Sequence, residues 1–143
     1  MAAESFPDAI DPEAVGAYPA LVFAGGGYVW DAVLEYRVWL HPPLGAEDLR
    51  GGSDSFHAFA RHADAVRFSA ESRGAEEPLA LVLQEEYIDE PAPGEYAHLM
   101  GPRLVEWPAE FLRRPCRTPR TIPDFLASDA PANRLEILRG EAG

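Results

Sequence analysis

A chain of 143 residues with 47% hydrophobic side chains, a net charge of −12 and one cysteine fits a single folded domain with one modest core. This composition excludes wholesale disorder, an internal disulfide framework and a cysteine-based zinc site. It also opposes general binding to nucleic acid, which needs phosphate neutralisation.

No apolar run nears the roughly 20 residues that cross a bilayer; the best, Ala20–Ala24, is far shorter. No basic residue precedes Arg37, which argues against a secretory signal. The expected compartment is the cytoplasm, with no membrane partner. All twelve basic residues are arginine, a skew that a GC-rich genome produces. Without lysine, Schiff-base, Walker-lysine and lysine general-base chemistry are closed to this chain.

Residues 1–27 read as a peripheral segment. Asp11 is placed to cap a short turn with Pro12 at its first position. Gly25-Gly26-Gly27 lacks the Lys and Ser/Thr of a phosphate loop and reads as a joint. Val33–His41 (VLEYRVWLH) is the first strand: Leu34, Tyr36, Val38 and Leu40 alternate with Glu35, Arg37, Trp39 and His41. Pro42-Pro43 stops it, and Leu44–Asp54 is a loop. Ser55–Ala60 is a second short strand. Arg61–Ser72 reads as a helix with Ala63, Val66 and Ala70 inward, Phe68 beside them, and Gly74 at its close.

Leu79–Asp89 is the strongest strand, buried on both faces in its first half and exposed from Glu85 to Glu90. Pro91–Gly94 is a turn. Tyr96–Met100 and Arg103–Trp107 are predicted to pair about Gly101-Pro102, and Pro108 opens a short helix over Ala109–Arg113. From Arg114 onward prolines break any long element. Ile122, Phe125 and Leu126 are predicted to dock this tail, with a last helical turn over Asn133–Arg139 carrying Leu135 and Leu138 inward. The fold class is α+β: four to five short, mostly antiparallel strands, one main helix and an irregular, Pro-rich C-terminal tail. The expected organisation is a peripheral segment 1–27, a core 28–113 and an extension 114–143 docked on it.

The face carrying Glu35, Arg37, Trp39 and His41 sets a carboxylate, a guanidinium, an indole and an imidazole in a row, types that grip a ligand. Glu106-Trp107-Pro108-Ala109-Glu110 holds a carboxylate beside an indole at an element boundary. In an enzyme, arginine would bind pyrophosphate, an aromatic would stack a base, and a glutamate would stabilise a developing cation. Among His41, His57, His62 and His98 no pair has zinc-protease spacing, so no metal site is expected. Cys116 reads as a free thiol, although Arg113, Arg114, Arg117 and Arg120 are placed to lower its pKa. Those arginines read as partners of the acidic run Glu85–Glu95 that pin the tail, or else as a site for a phosphate or carboxylate.

Four blocks together, Tyr28–Pro42 (YVWDAVLEYRVWLHP), Glu76–Tyr96 (EEPLALVLQEEYIDEPAPGEY), Glu106–Leu112 (EWPAEFL) and Thr121–Gly140 (TIPDFLASDAPANRLEILRG), resemble a family of small uncharacterised bacterial proteins. Its members often carry the label of GCN5-type acetyltransferase, which implies acetyl-CoA as cofactor. This chain has no R/Q-x-x-G-x-G/A segment to hold the acetyl-CoA pyrophosphate. A looser pattern resembles the ADP-ribosyltransferase core. That resemblance implies NAD, with Arg37 or His41 on the dinucleotide and Glu106 or Glu110 as the catalytic acid; Phe56 and Phe59 stand where it expects a tyrosine or serine. Three readings follow: a domain binding a small-molecule or protein partner through Glu35, Arg37, Trp39 and His41; an NAD-using transferase; and an N-acetyltransferase.

Overall fold

The computed structural model describes residues 6–24, 27–46 and 52–141. Among them, five strands run β1 Phe23–Ala24, β2 Ala32–Leu40, β3 Ser55–Phe59, β4 Leu79–Ala92 and β5 Glu95–Pro108. They form one mostly antiparallel sheet in the order β1-β5-β4-β2-β3. The main helix is α1, His62–Glu71; α2, Thr121–Leu126, and α3, Arg134–Leu138, follow the sheet. The architecture is α+β.

The longest pairing is the β4–β5 hairpin, which closes over Pro93–Gly94 and extends from Ala92↔Glu95 to Leu79↔Pro108. The turn predicted at Gly101-Pro102 does not form. β5 runs straight through this dipeptide, whose peptide bond is cis, opposite a register shift between Gln84 and Glu86. The shift is a bulge that absorbs the irregularity. A Cβ at Gly101 would stand 2.0 Å from the Gln84 carbonyl oxygen, so only glycine lets the two backbones meet there.

One face of the sheet carries the main core: Val33, Tyr36 and Val38 of β2, Ala80 and Val82 of β4, Val105 and Trp107 of β5, closed by Ala65 of α1. The strict alternation predicted for β2 is interrupted by a register shift between Val33 and Glu35. Val33 rather than Leu34 therefore joins Tyr36 and Val38 in this core. The stripe predicted for α1 is also corrected. Ala63, Val66 and Ala70 are exposed, while Ala65 is buried and Phe68 half-buried. Burying the one large apolar side chain outweighs three small ones, and Phe68 stacks against Phe59 at 5.3 Å between centroids.

The far half of β4, predicted to be exposed, is partly covered. Tyr87 and Ile88 join Val29 in a second core against Ile122, Phe125 and Leu138, with Leu135 packed at its margin. Leu126, predicted to dock, instead faces outward. Arginines fasten this layer by stacking: Arg134 lies 4.5 Å over Phe125, and Arg139 and Arg114 lie 5.2 and 5.3 Å over Tyr28. A planar guanidinium stacks on rings in a way that an ammonium does not. The approach to β2 and the tail are also tied through the backbone. Arg117 N–H donates to the Trp30 carbonyl at 2.8 Å, and Trp30 Nε1 donates to the Arg114 carbonyl at 2.9 Å.

The segment read as peripheral packs closely. Ala9 N–H donates to the Ala60 carbonyl and Ile10 N–H to the Val33 carbonyl, and Tyr36 Oη donates to the Pro7 carbonyl at 2.5 Å. The Asp11 side chain accepts from Glu13 N–H and caps the 3-10 turn Pro12–Ala14. Phe23–Ala24 adds an edge strand parallel to β5. Of the glycine run, Gly25 and Gly26 lie outside the described residues.

Gly101→Ala is expected to destabilise the fold by about 2 kcal/mol or more, because backbone faces backbone and no side chain can yield. Urea denaturation with an unchanged slope and a lower midpoint is the check.

Candidate functional site

The face of β2 opposite the main core divides into a buried half and an open half. Glu35 and Arg37 are wholly buried, because residues 16–20 of the N-terminal segment pass over them. Arg37 Nε donates to Glu35 Oε2 at 2.7 Å, Nη2 to the Pro19 carbonyl at 2.5 Å, and Nη1 to the Ala20 carbonyl at 3.2 Å and to Glu106 Oε2 at 3.3 Å. Gly16 N–H donates to the other oxygen of Glu35 at 2.8 Å. A buried ion pair is tolerated only when its remaining donors and acceptors are engaged in this way. The two residues expected to grip a ligand therefore hold down the chain's own N-terminal segment instead.

Trp39 and His41 line a cleft of about 730 Å³ together with Phe56, Glu76, Leu79 and Glu106. Trp39 is set by register: it pairs with Phe56 across β2 and β3, which brings the two rings to 4.8 Å between centroids. The Arg37 guanidinium lies 4.5 Å from the centre of the Phe56 ring. Glu106 reaches the same floor because Glu35, Leu81 and Glu106 share one rung of the sheet. Its Oε2 accepts from Trp39 Nε1 at 2.8 Å as well as from Arg37, while Oε1 has no partner among the described residues. The indole against Glu106 is thus Trp39; its sequence neighbour Trp107 is buried in the main core on the opposite face.

At the open end, His41 stands between two carboxylates. Nδ1 pairs with Asp54 at 2.8 Å and Nε2 with Glu76. Gly74 makes this possible. His41 N–H donates to its carbonyl at 2.9 Å, and a Cβ on Gly74 would lie 2.8 Å from the His41 carbonyl oxygen in a backbone of φ +72°. Glu76 N–H then donates to the Trp39 carbonyl, delivering the Glu76 side chain to the imidazole. The hydrogen bonds to Asp54 and Glu76 raise the His41 pKa above its ordinary 6.5.

The remaining sequence candidates lie elsewhere. Glu110 is exposed on the 3-10 turn Ala109–Arg113 and borders a separate cavity with Phe6, His62 and Glu77, so the two candidate acids do not share a site. The thiol of Cys116 is raised, not lowered, by burial and by Asp31. Arg117 pairs with Asp31 at 2.7 Å and Glu86 at 3.1 Å, and Arg114 Nη1 donates to the Gly27 carbonyl at 3.1 Å. Among the described residues no group of acidic, histidine or cysteine side chains could hold a metal ion. Asp54, Phe56 and Glu76 complete the cleft. The alternation of Ser55–Ala60 gives a signal for Phe56, and nothing local gives one for the other two.

Comparisons with protein-family models, with curated proteins and with solved structures find no match.

Two outcomes follow from this geometry. Arg37→Met is expected to cost about 3–5 kcal/mol by stranding a buried Glu35, and Glu35→Leu combined with Arg37→Met is expected to restore part of it; denaturation of both variants is the check. For pH, protonated His41 is favoured by the fold. Its contribution is full below about pH 6.5 and is lost as pH rises through the raised value. His62, lowered by burial, contributes in the opposite sense, so the quantity to measure is the difference between wild-type and His41→Gln stability from pH 5 to 9, which is expected to shrink with rising pH.

Proposed function

We propose that the protein is a small-ligand-binding domain whose site is the cleft walled by Trp39, His41, Phe56, Glu76 and Glu106. The observation that carries the reading is Glu106: a carboxylate only 16% exposed on the wall of a cleft with an aromatic pair, with one oxygen held by Trp39 and Arg37 and the other without a partner among the described residues. A few placed polar groups on an apolar and aromatic wall are the usual make-up of a small-molecule site.

Binding is favoured over catalysis by the state of the titratable groups. Both nitrogens of His41 are engaged by carboxylates, which leaves no free lone pair for proton abstraction. All three nitrogens of Arg37 are engaged within the protein. A pyrophosphate entering the cleft would have to displace backbone carbonyls and a buried carboxylate to reach it. The parallel pairing of β1 with β5 spans two residues at the sheet edge, which gives the acetyl-CoA reading little to rest on.

A thermal-shift screen with NAD, acetyl-CoA, nucleotides and small amines tests the reading. A ligand at a hundred times its dissociation constant adds about 2.7 kcal/mol of stability. The expected result is a shift with at least one small molecule that vanishes in Trp39→Leu while the variant keeps its folded circular-dichroism spectrum. A shift of equal size in Trp39→Leu would move the site elsewhere.

A further inference from the structure

We infer that the ligand of this cleft is a small organic cation with an apolar or aromatic body, an inference that rests on the binding reading above. Charge is the first ground. Glu35, Arg37 and Glu106 form a trio in which two carboxylates share one guanidinium. Asp54, His41 and Glu76 form a second, in which two carboxylates share one imidazole. Even with His41 protonated, each trio keeps one negative charge in excess among the described residues.

The two excesses differ in consequence. Asp54 and Glu76 are about half exposed, at 50% and 46%, so water screens them. Glu106 is largely withdrawn from water, and an uncompensated carboxylate there is costly. Its Oε1 is the one acceptor of the trio without a donor among the described residues. An ammonium or amidinium at that oxygen supplies the missing charge and the missing hydrogen bond together.

Apolar surface is the second ground, and it is independent of the acids. Trp39 and Phe56 meet at the cleft floor, and Ala20, Leu21, Ala58 and Leu79 add aliphatic wall. A bare metal ion has no use for such a surface. An organic cation uses it twice, through burial of its carbon frame and through attraction to the electron-rich indole face. The neighbouring Phe56 ring already carries one cation, the Arg37 guanidinium at 4.5 Å from its centre.

The test is titration calorimetry of the full chain with three probes of one shape: 2-phenylethylammonium, 2-phenylethanol and phenylacetate. The ammonium is expected to bind about ten- to a hundredfold tighter than the alcohol, with no binding of the carboxylate. Glu106→Gln keeps an acceptor for Trp39 and Arg37. It is expected to remove the ammonium's advantage over the alcohol. Equal affinity for ammonium and alcohol, an unaltered ammonium affinity in Glu106→Gln, or no ammonium binding up to millimolar concentration would each overturn the inference. Trp39-dependent binding of an anionic or neutral molecule alongside such a result would leave the cleft as the binding site. Ammonium binding indifferent to both Trp39→Leu and Glu106→Gln would remove the cleft as well.

Discussion

A guanidinium placed wholly inside a small domain constrains everything around it. Arg37 cannot shed its proton, so each of its nitrogens must find an acceptor on the spot. Glu35 and Glu106 supply charge; the carbonyls of Pro19 and Ala20 supply the rest. Recruiting those carbonyls draws residues 16–20 across the sheet, which in turn buries Glu35 and leads the chain into the edge strand at Phe23. The cleft wall formed by Gly16, Ala20 and Leu21 is therefore a by-product of satisfying one buried cation.

The same sheet serves two chemistries because its faces are separated by register. On one side, valines, Tyr36 and Trp107 pack under α1 in an ordinary apolar core. On the other, Glu35, Arg37, Trp39, Phe56 and Glu106 meet across neighbouring strands. The bulge in β2 matters to both. It turns Val33 into the core and leaves Glu35 in phase with Arg37, so one residue of slippage would put polar side chains into the apolar core.

Much of this was legible in the chain itself. The period of two through Val33–His41, the run Leu79–Leu83 and the breaks at Pro42, Gly74 and Pro93 follow from local sterics and side-chain spacing, and they give the α+β class. Trp39 and His41 stand out on one face of the predicted first strand, and Glu106 at an element boundary. What local pattern does not carry is coverage. Nothing in Val15–Leu21 announces that it will lie over Glu35 and Arg37, because that choice is made by carbonyl acceptors every residue possesses. Nor does spacing reveal that Glu106 meets Trp39 and not its neighbour Trp107; that depends on which of two faces each residue takes in a three-strand register. The misplaced turn at Gly101-Pro102 has a similar origin. A glycine–proline pair reads as a break unless the opposite strand is known to bulge toward it.

The pairing of Trp30 with Arg114 and Arg117 bears on how the molecule comes into being. The two partners are more than eighty residues apart in sequence, so they close a long loop, and contacts of that kind form late and slow folding. During synthesis, at about 5–20 residues per second, the first partner waits roughly 4–17 s for the second to be made. Through that interval the Trp30 indole lacks the Arg114 carbonyl to which it donates, and the Tyr28 ring lacks the Arg114 and Arg139 guanidinium groups that stack on it. The nascent chain thus carries two aromatic side chains that the completed protein ties to its C-terminal tail.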